Sequence, residues 1–298
     1  RRHPTPPPTP PTTTKPPPPL PHAHHLVFII EVMEKKDTNA AATNKPPPPL
    51  VKVCGLNTEE SAIRASESGA DLLGLIFVKK SKRYVSVEKA GDISKAIDTW
   101  INEKGLKKTT LPKPPTSDEE VKDASAWFKD AARELLLQLR PKEGRVAPLK
   151  VGVFMNHSAE DINTIAEEVG LDLIQLHGNE PADIPTKLKR PAIRVVHVDC
   201  DSTINSLKEN VKPGFAPYLM LDSKGGGTGK TFDWKLASKF GDEYPFFLAG
   251  GLDPENVANA IKSARPMGVD VCGGVEKSKG VKDLGKISKF VDTAKKST

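Results

Sequence analysis

Cysteine is scarce in this chain: three among 298 residues, at Cys54, Cys200 and Cys272. An odd number without paired spacing argues against a disulfide framework and a zinc site, and it predicts a reducing compartment, the cytoplasm. Aromatic residues make up only 5%, so few rings are available to stack on bases. The net charge of +6 comes from 44 basic residues scattered among 38 acidic ones. Nucleic acid is therefore not an expected partner, whereas a small anionic substrate is compatible with the balance. No apolar run approaches the ~20 residues of a membrane helix. The longest candidate, "LVFIIEVM" (26–33), is broken by Glu31 and reads as a strand or docking segment. A membrane partner is not expected either. The last absence is a glycine. "LMLDSKGGGTGKTFDW" (219–234) resembles a nucleotide-binding loop, but that motif needs glycine five residues before Gly229, and Lys224 stands there.

Proline and threonine dominate the first 25 residues, and a second proline run, "KPPPP", fills 45–49. Proline fixes φ and removes the amide donor, so residues 1–48 are expected to form an extended, largely disordered tail or linker. The leading arginines suit a transit peptide, but the proline density opposes its amphipathic helix. "HAHH" (22–25) is read as solvated histidine. Residue 1 is not methionine, and a piece of a longer multidomain polypeptide is one expectation.

From Leu50 onward short branched-residue runs alternate with stretches of helical spacing. The runs are 50–54, 71–77, 149–154, 171–177, 192–198, 218–222, 246–250 and 268–272. Helices are predicted over Glu59–Ser68, Ala159–Glu168, Pro254–Ser263 and Lys282–Ala294, with Thr58, Ser158 and Asp253 as caps. Strand–helix alternation implies parallel pairing by right-handed crossovers. Eight units in about 250 residues fit a closed (β/α)8 TIM barrel over 49–298. An open doubly wound sheet is the competitor, weakened because no G-x-G-x-x-G follows the first run. Residues 99–148 are an anomalously long connection, with a predicted helix at 117–140. In a barrel they lie on the face opposite the active site, as a structural or docking insertion.

Active sites of such barrels use the carboxyl ends of the strands. Alternation of faces turns Lys52 and Cys54, Gln175 and His177, Met220 and Asp222, and Asp270 and Cys272 inward. Cys54 and Asp222 form a candidate acid–base couple across a small substrate. The other reading of Cys54 is a small buried hydrophobe. A thiol near pKa ~8.5 needs help to act as a base, and Lys52 on the same face supplies it. An Asp270–Lys52 ion pair is expected inside the mouth, and Gln175 and His177 are as compatible with local hydrogen bonding as with substrate contact. "LAGGLDPENV" (248–257) and "VCGGVEKSKG" (271–280) are glycine-rich exits of the seventh and eighth strands, where barrels often hold phosphate on backbone N–H groups.

The motifs "VKVCG", "KSKRYVS", "GVFMN", "QLHGNE", "LDSKGGGTGKTFDW", "LAGGLDPENV" and "GVDVCGGVE…GVKD" run in order from residue 50 to the end, apart from the insertion. In this the chain resembles phosphoribosylanthranilate isomerase of tryptophan biosynthesis. The resemblance implies an Amadori rearrangement of N-(5-phosphoribosyl)anthranilate. It makes Asp222 the general acid and Cys54 the general base. Arg83 would hold the anthranilate carboxylate, and Gly250, Gly251, Cys272, Gly273 and Gly274 the phosphate. It implies no metal and no organic cofactor, and fusion or association with other tryptophan-pathway enzymes. The family usually has serine where Cys272 stands; the exchange weakens any hydroxyl contact to phosphate but spares the backbone donor. The alternatives are a histidine-pathway phosphosugar isomerase, and a non-catalytic barrel whose proline-rich tail binds partners.

Overall fold

The computed structural model describes residues 47–112, 121–141, 144–223 and 232–297. Eight parallel strands, each the core of one sequence run, close into a barrel in chain order. They are β1 (Leu50–Val53), β2 (Leu72–Ile76), β3 (Leu149–Phe154), β4 (Leu173–Leu176), β5 (Ala192–Val198), β6 (Tyr218–Ser223), β7 (Phe246–Leu248) and β8 (Gly268–Val271). Register between β1 and β8, with Lys52 opposite Asp270 and Val53 opposite Val271, closes the ring. The open-sheet alternative is thereby overturned.

Helices α1 (Glu59–Ser68), α2 (Val87–Glu103), α4 (Ala159–Val169), α5 (Ile204–Glu209), α6 (Trp234–Gly241), α7 (Val257–Ala264) and α8 (Leu284–Lys296) form the outer layer, and α3 (Ala124–Leu139) is the insertion. After β4 the crossover has only a 3-10 turn, Ile184–Lys187. Thr58 and Ser158 cap α1 and α4 as expected, accepting from the backbone N–H groups of Ser61 and Asp161. Asp253 does not cap a helix starting at Pro254. Its Oδ1 accepts from Glu255 N and Asn256 N instead, making a turn that delays α7 to Val257.

The long connection between β2 and β3 starts later than the expected residue 99. The 3.6-residue spacing of Ile93, Ile97 and Trp100–Ile101 keeps these residues buried and carries α2 through to Glu103. Its helix spans 124–139 rather than 117–140, because Asp123 accepts from Ala126 N and sets the start; residues 113–120 lie outside the described residues. Helix α3 packs beneath the barrel. Ala132, Leu135, Leu136 and Leu139 join the cluster formed by Leu50, Leu72, Leu149, Leu173 and Tyr218, the first residues of their strands. Arg140 secures it, with Nη2 donating to the Pro49 carbonyl at 3.0 Å. The expectations for residues 1–46, including "HAHH" and "LVFIIEVM", and for the glycine-rich stretch 224–231 fall outside the described residues. Among the described residues no helix is long and apolar enough to cross a membrane.

Candidate active site

The opposite end of the barrel collects the polar residues. Lys52 of β1, fully buried, points its ammonium to Asp270 of β8 at 2.9 Å. Burial alone would weaken that charge, but Asp270, and then Cys54, outweigh it and hold Lys52 protonated. The charge of this buried cation is felt by both groups singled out from the sequence, Cys54 and Asp222.

Cys54 follows β1 directly, its N–H donating to the Val271 carbonyl at 2.8 Å. A hydrogen bond from the Cys272 thiol lowers its pKa to about 7, against burial and with help from Lys52. In return that bond, with burial, keeps Cys272 protonated far above the ordinary thiol range. Room for the Cys54 thiol comes from β2. A Cβ on Gly74 would stand 2.8 Å from Cys54 Sγ and 3.1 Å from Lys52 Nζ, so only glycine fits.

Asp222, on β6, is pushed up to about 7, first by burial and then by the negative charges of Asp270 and Cys54. Near neutrality it can therefore hold a proton while Cys54 gives one up. His177, after β4, places Nε2 3.7 Å from Asp222 Oδ2. Burial, His197 and Lys52 drop its pKa to about 4, so it is neutral beside the acid. Gln175 Nε2 donates to His177 Nδ1 at 3.2 Å, which leaves the ring proton on Nε2, facing Asp222. Gln175 itself is buried beneath and serves as a prop for His177.

Beside these groups lies a cavity of about 380 Å³, lined among others by Arg83, Asp222, Gly250, Gly251, Cys272 and Gly274. Gly250 and Gly251 have φ of 88° and 69°, a left-handed turn, and a Cβ on Gly250 would meet the backbone nitrogen of Ser223 at 2.7 Å. Gly273 and Gly274 open the 3-10 turn Gly273–Val275, whose first N–H groups have no partner within the turn. Both glycine pairs thus meet at one cavity. Arg83 reaches it too, but its fork is engaged: Nε donates to Glu276 Oε1 at 2.6 Å and Nη2 to Oε2 at 3.0 Å. Sequence reasoning assigned Glu276 no role, nor Lys282, whose buried ammonium donates to the Cys272 carbonyl at 2.8 Å. Both sit in the antiparallel pair β9 (Glu276–Ser278) and β10 (Val281–Lys282). They lie within the "GVE…GVKD" motif, the one signal that could have found them.

A larger concavity, about 480 Å³, opens beside β5. Its Arg194 and Glu180 are paired with each other at 3.3 Å, and neither Asp222 nor either glycine pair lines it.

A family model for N-(5'phosphoribosyl)anthranilate (PRA) isomerase matches residues 114–293. The N-(5'-phosphoribosyl)anthranilate isomerase of Wickerhamomyces anomalus is 38% identical over 251 residues, 82% of this chain and 99% of that protein. The chain belongs to the PRA isomerase family. Similarity extends to the tryptophan biosynthesis protein TRP1 of Phytophthora nicotianae, 42% identical over 261 residues. That match takes in 83% of this chain but only 47% of the relative, so the chain spans about half of that longer protein. Among solved structures, phosphoribosyl anthranilate isomerase from Thermotoga maritima is 34% identical with a TM-score of 0.61, covering 83% of this chain and 98% of that one. The family-model match begins after Cys54 and Arg83, so the reading of those two residues rests on the geometry around them.

Proposed function

We propose that this chain catalyses the Amadori rearrangement of N-(5-phosphoribosyl)anthranilate to 1-(2-carboxyphenylamino)-1-deoxyribulose 5-phosphate, a step of tryptophan biosynthesis. One observation carries the reading: a carboxyl that keeps its proton near neutrality lines one cavity with Cys272, and the Cys54 thiol, which loses its own, packs with Cys272 beside a buried lysine. That is the charge state an acid–base isomerisation needs.

Asp222 gives its proton to the ribose ring oxygen as the C1–O bond breaks, and the anthranilate nitrogen donates its lone pair to form the C1 iminium. The iminium acidifies the proton on C2. Cys54 removes it as thiolate, the electron pair moves into C1–C2, and the enolamine tautomerises to the ketose. Lys52, tied to Asp270, stabilises the thiolate before the step. Neutral His177 keeps a donor near Asp222 without competing for its proton. The phosphate sits on the loops at Gly250–Gly251 and Cys272–Gly274, through backbone N–H groups that glycine leaves exposed. Arg83, its Nε and Nη2 held by Glu276, offers its remaining N–H donors to the anthranilate carboxylate. The unpaired thiols fit a cytoplasmic setting, and the longer relatives make fusion to other tryptophan-pathway enzymes part of the proposal.

The test is the loss of anthranilate-type fluorescence as substrate is consumed. Cys54→Ala and Asp222→Asn each lower kcat by about 10²–10⁴-fold, the usual share of a positioned acid or base, while circular dichroism stays unchanged. Wild-type rates in both variants would remove the assignment.

A further inference from the structure

The proposed mechanism uses one thiol, yet a second, that of Cys272, packs against the cluster that holds it. Val53 and Val271 are register partners on adjacent strands, so the next residues, Cys54 and Cys272, are also side by side. Neighbouring strands lie about 4.8 Å apart, inside the Cα separation of about 4.4–6.8 Å that a disulfide spans. Their side chains pack together, Cys272 lying against the small cluster of Cys54, Ile76 and Val153. Cys272 lines the open cavity, which gives a small oxidant access. Lys282 Nζ lies 3.9 Å from Cys272 Sγ, and Lys52 supports the charge of Cys54.

We propose that Cys54 and Cys272 are a peroxide-oxidisable dithiol, closing to a disulfide that switches the isomerase off and reopening on reduction. The Cys54 thiolate attacks one oxygen of hydrogen peroxide. The O–O bond breaks, leaving Cys54 as sulfenic acid and, with a proton, one water. The Cys272 sulfur then attacks the sulfenic sulfur and expels hydroxide, which leaves as a second water with the Cys272 proton. Two thiols are oxidised by one electron each, and one peroxide is reduced to two waters. A dithiol reductant reverses the bridge by exchange. That turnover stops rests on Cys54 being the base; that the bridge forms does not.

The experiment uses the full chain carrying Cys200→Ser, which removes the exposed third thiol. The chain is titrated with hydrogen peroxide, digested without reduction and mapped by mass spectrometry, with turnover followed in parallel. The expected result is a crosslinked Cys54–Cys272 peptide that rises with a loss of turnover of about a hundredfold or more, the share of a general base. Dithiothreitol restores both. With Cys272→Ser added, and each variant judged against its own untreated rate, no bridge forms and prolonged peroxide leaves Cys54 as sulfinic acid that dithiothreitol does not rescue. Cys54 oxidised or untouched with no bridge, while untreated turnover is normal, overturns the switch and leaves the isomerase reading standing. A complete bridge with undiminished turnover overturns both.

Discussion

At the scale of single residues, the site turns on one proton shared between two groups. Cys54 and Asp222 both titrate at about 7, and they feel each other's charge, so their protons come off as a coupled pair. The proposed reaction needs thiolate and carboxylic acid together. Raising the pH through about 7 fills the base but empties the acid; lowering it does the reverse. A bell-shaped kcat/KM profile centred near neutrality follows, with both limbs close together. Asp222→Asn removes a negative neighbour of Cys54, so the thiol's alkylation by iodoacetamide should persist to lower pH than in wild type. An unshifted alkylation profile would separate the two groups electrostatically. Gly74 gives a second test. The added methyl of Gly74→Ala intrudes on Cys54 Sγ and Lys52 Nζ and displaces the thiol. A misplacement of about 1 Å costs on the order of 10²-fold in rate, so kcat should drop by that order while KM changes little. Wild-type kcat in this variant would mean that the thiol tolerates a shift no proposed base should.

The element that most distinguishes this barrel is α3. Its leucines do under the barrel what helices usually do around it, covering the first residues of β1–β4 and β6. Truncating fully buried Leu135 to alanine should cost about 2–5 kcal/mol of stability, read from urea unfolding, with kcat unchanged because the site is at the far end. A fall in kcat without lost stability would place α3 in the catalytic machinery. Legibility in the sequence follows the same division. The eight strands could be read because seven are buried on both faces, and β5 except at Arg194 and His197, so each appears as a short branched apolar run. The Lys52–Asp270 pair could be read because alternation fixes which face a strand residue takes. What escaped was set by long-range pairing. Glu276 is 193 residues from its partner Arg83, and no local spacing predicts that bond. The late start of α7 escaped because an Asp followed by Pro serves a turn as readily as a helix cap.

At the scale of the whole molecule, the described barrel is closed by its own first and last strands. Leu50 N donates to the Met267 carbonyl at 2.9 Å and Cys54 N to that of Val271 at 2.8 Å, while Arg140 holds Pro49 from below. Every group in the proposed mechanism lies between Lys52 and Lys282. A standalone isomerase is matched almost end to end by four-fifths of this chain, and a barrel of that span needs nothing further to complete its ring. A chain beginning at Pro47 should therefore keep the kcat/KM and thermal midpoint of the full chain. One beginning at Gly55 loses β1 and the base together, and should fail both to fold and to turn over, since a seven-stranded remnant leaves β2 and β8 with unpaired edges. The fluorescence assay and a melting curve on the two truncations decide the matter. If the Pro47 variant melted normally but lost turnover, residues before the barrel would have to contribute directly to the substrate site. The self-sufficiency argued from ring closure would then fail.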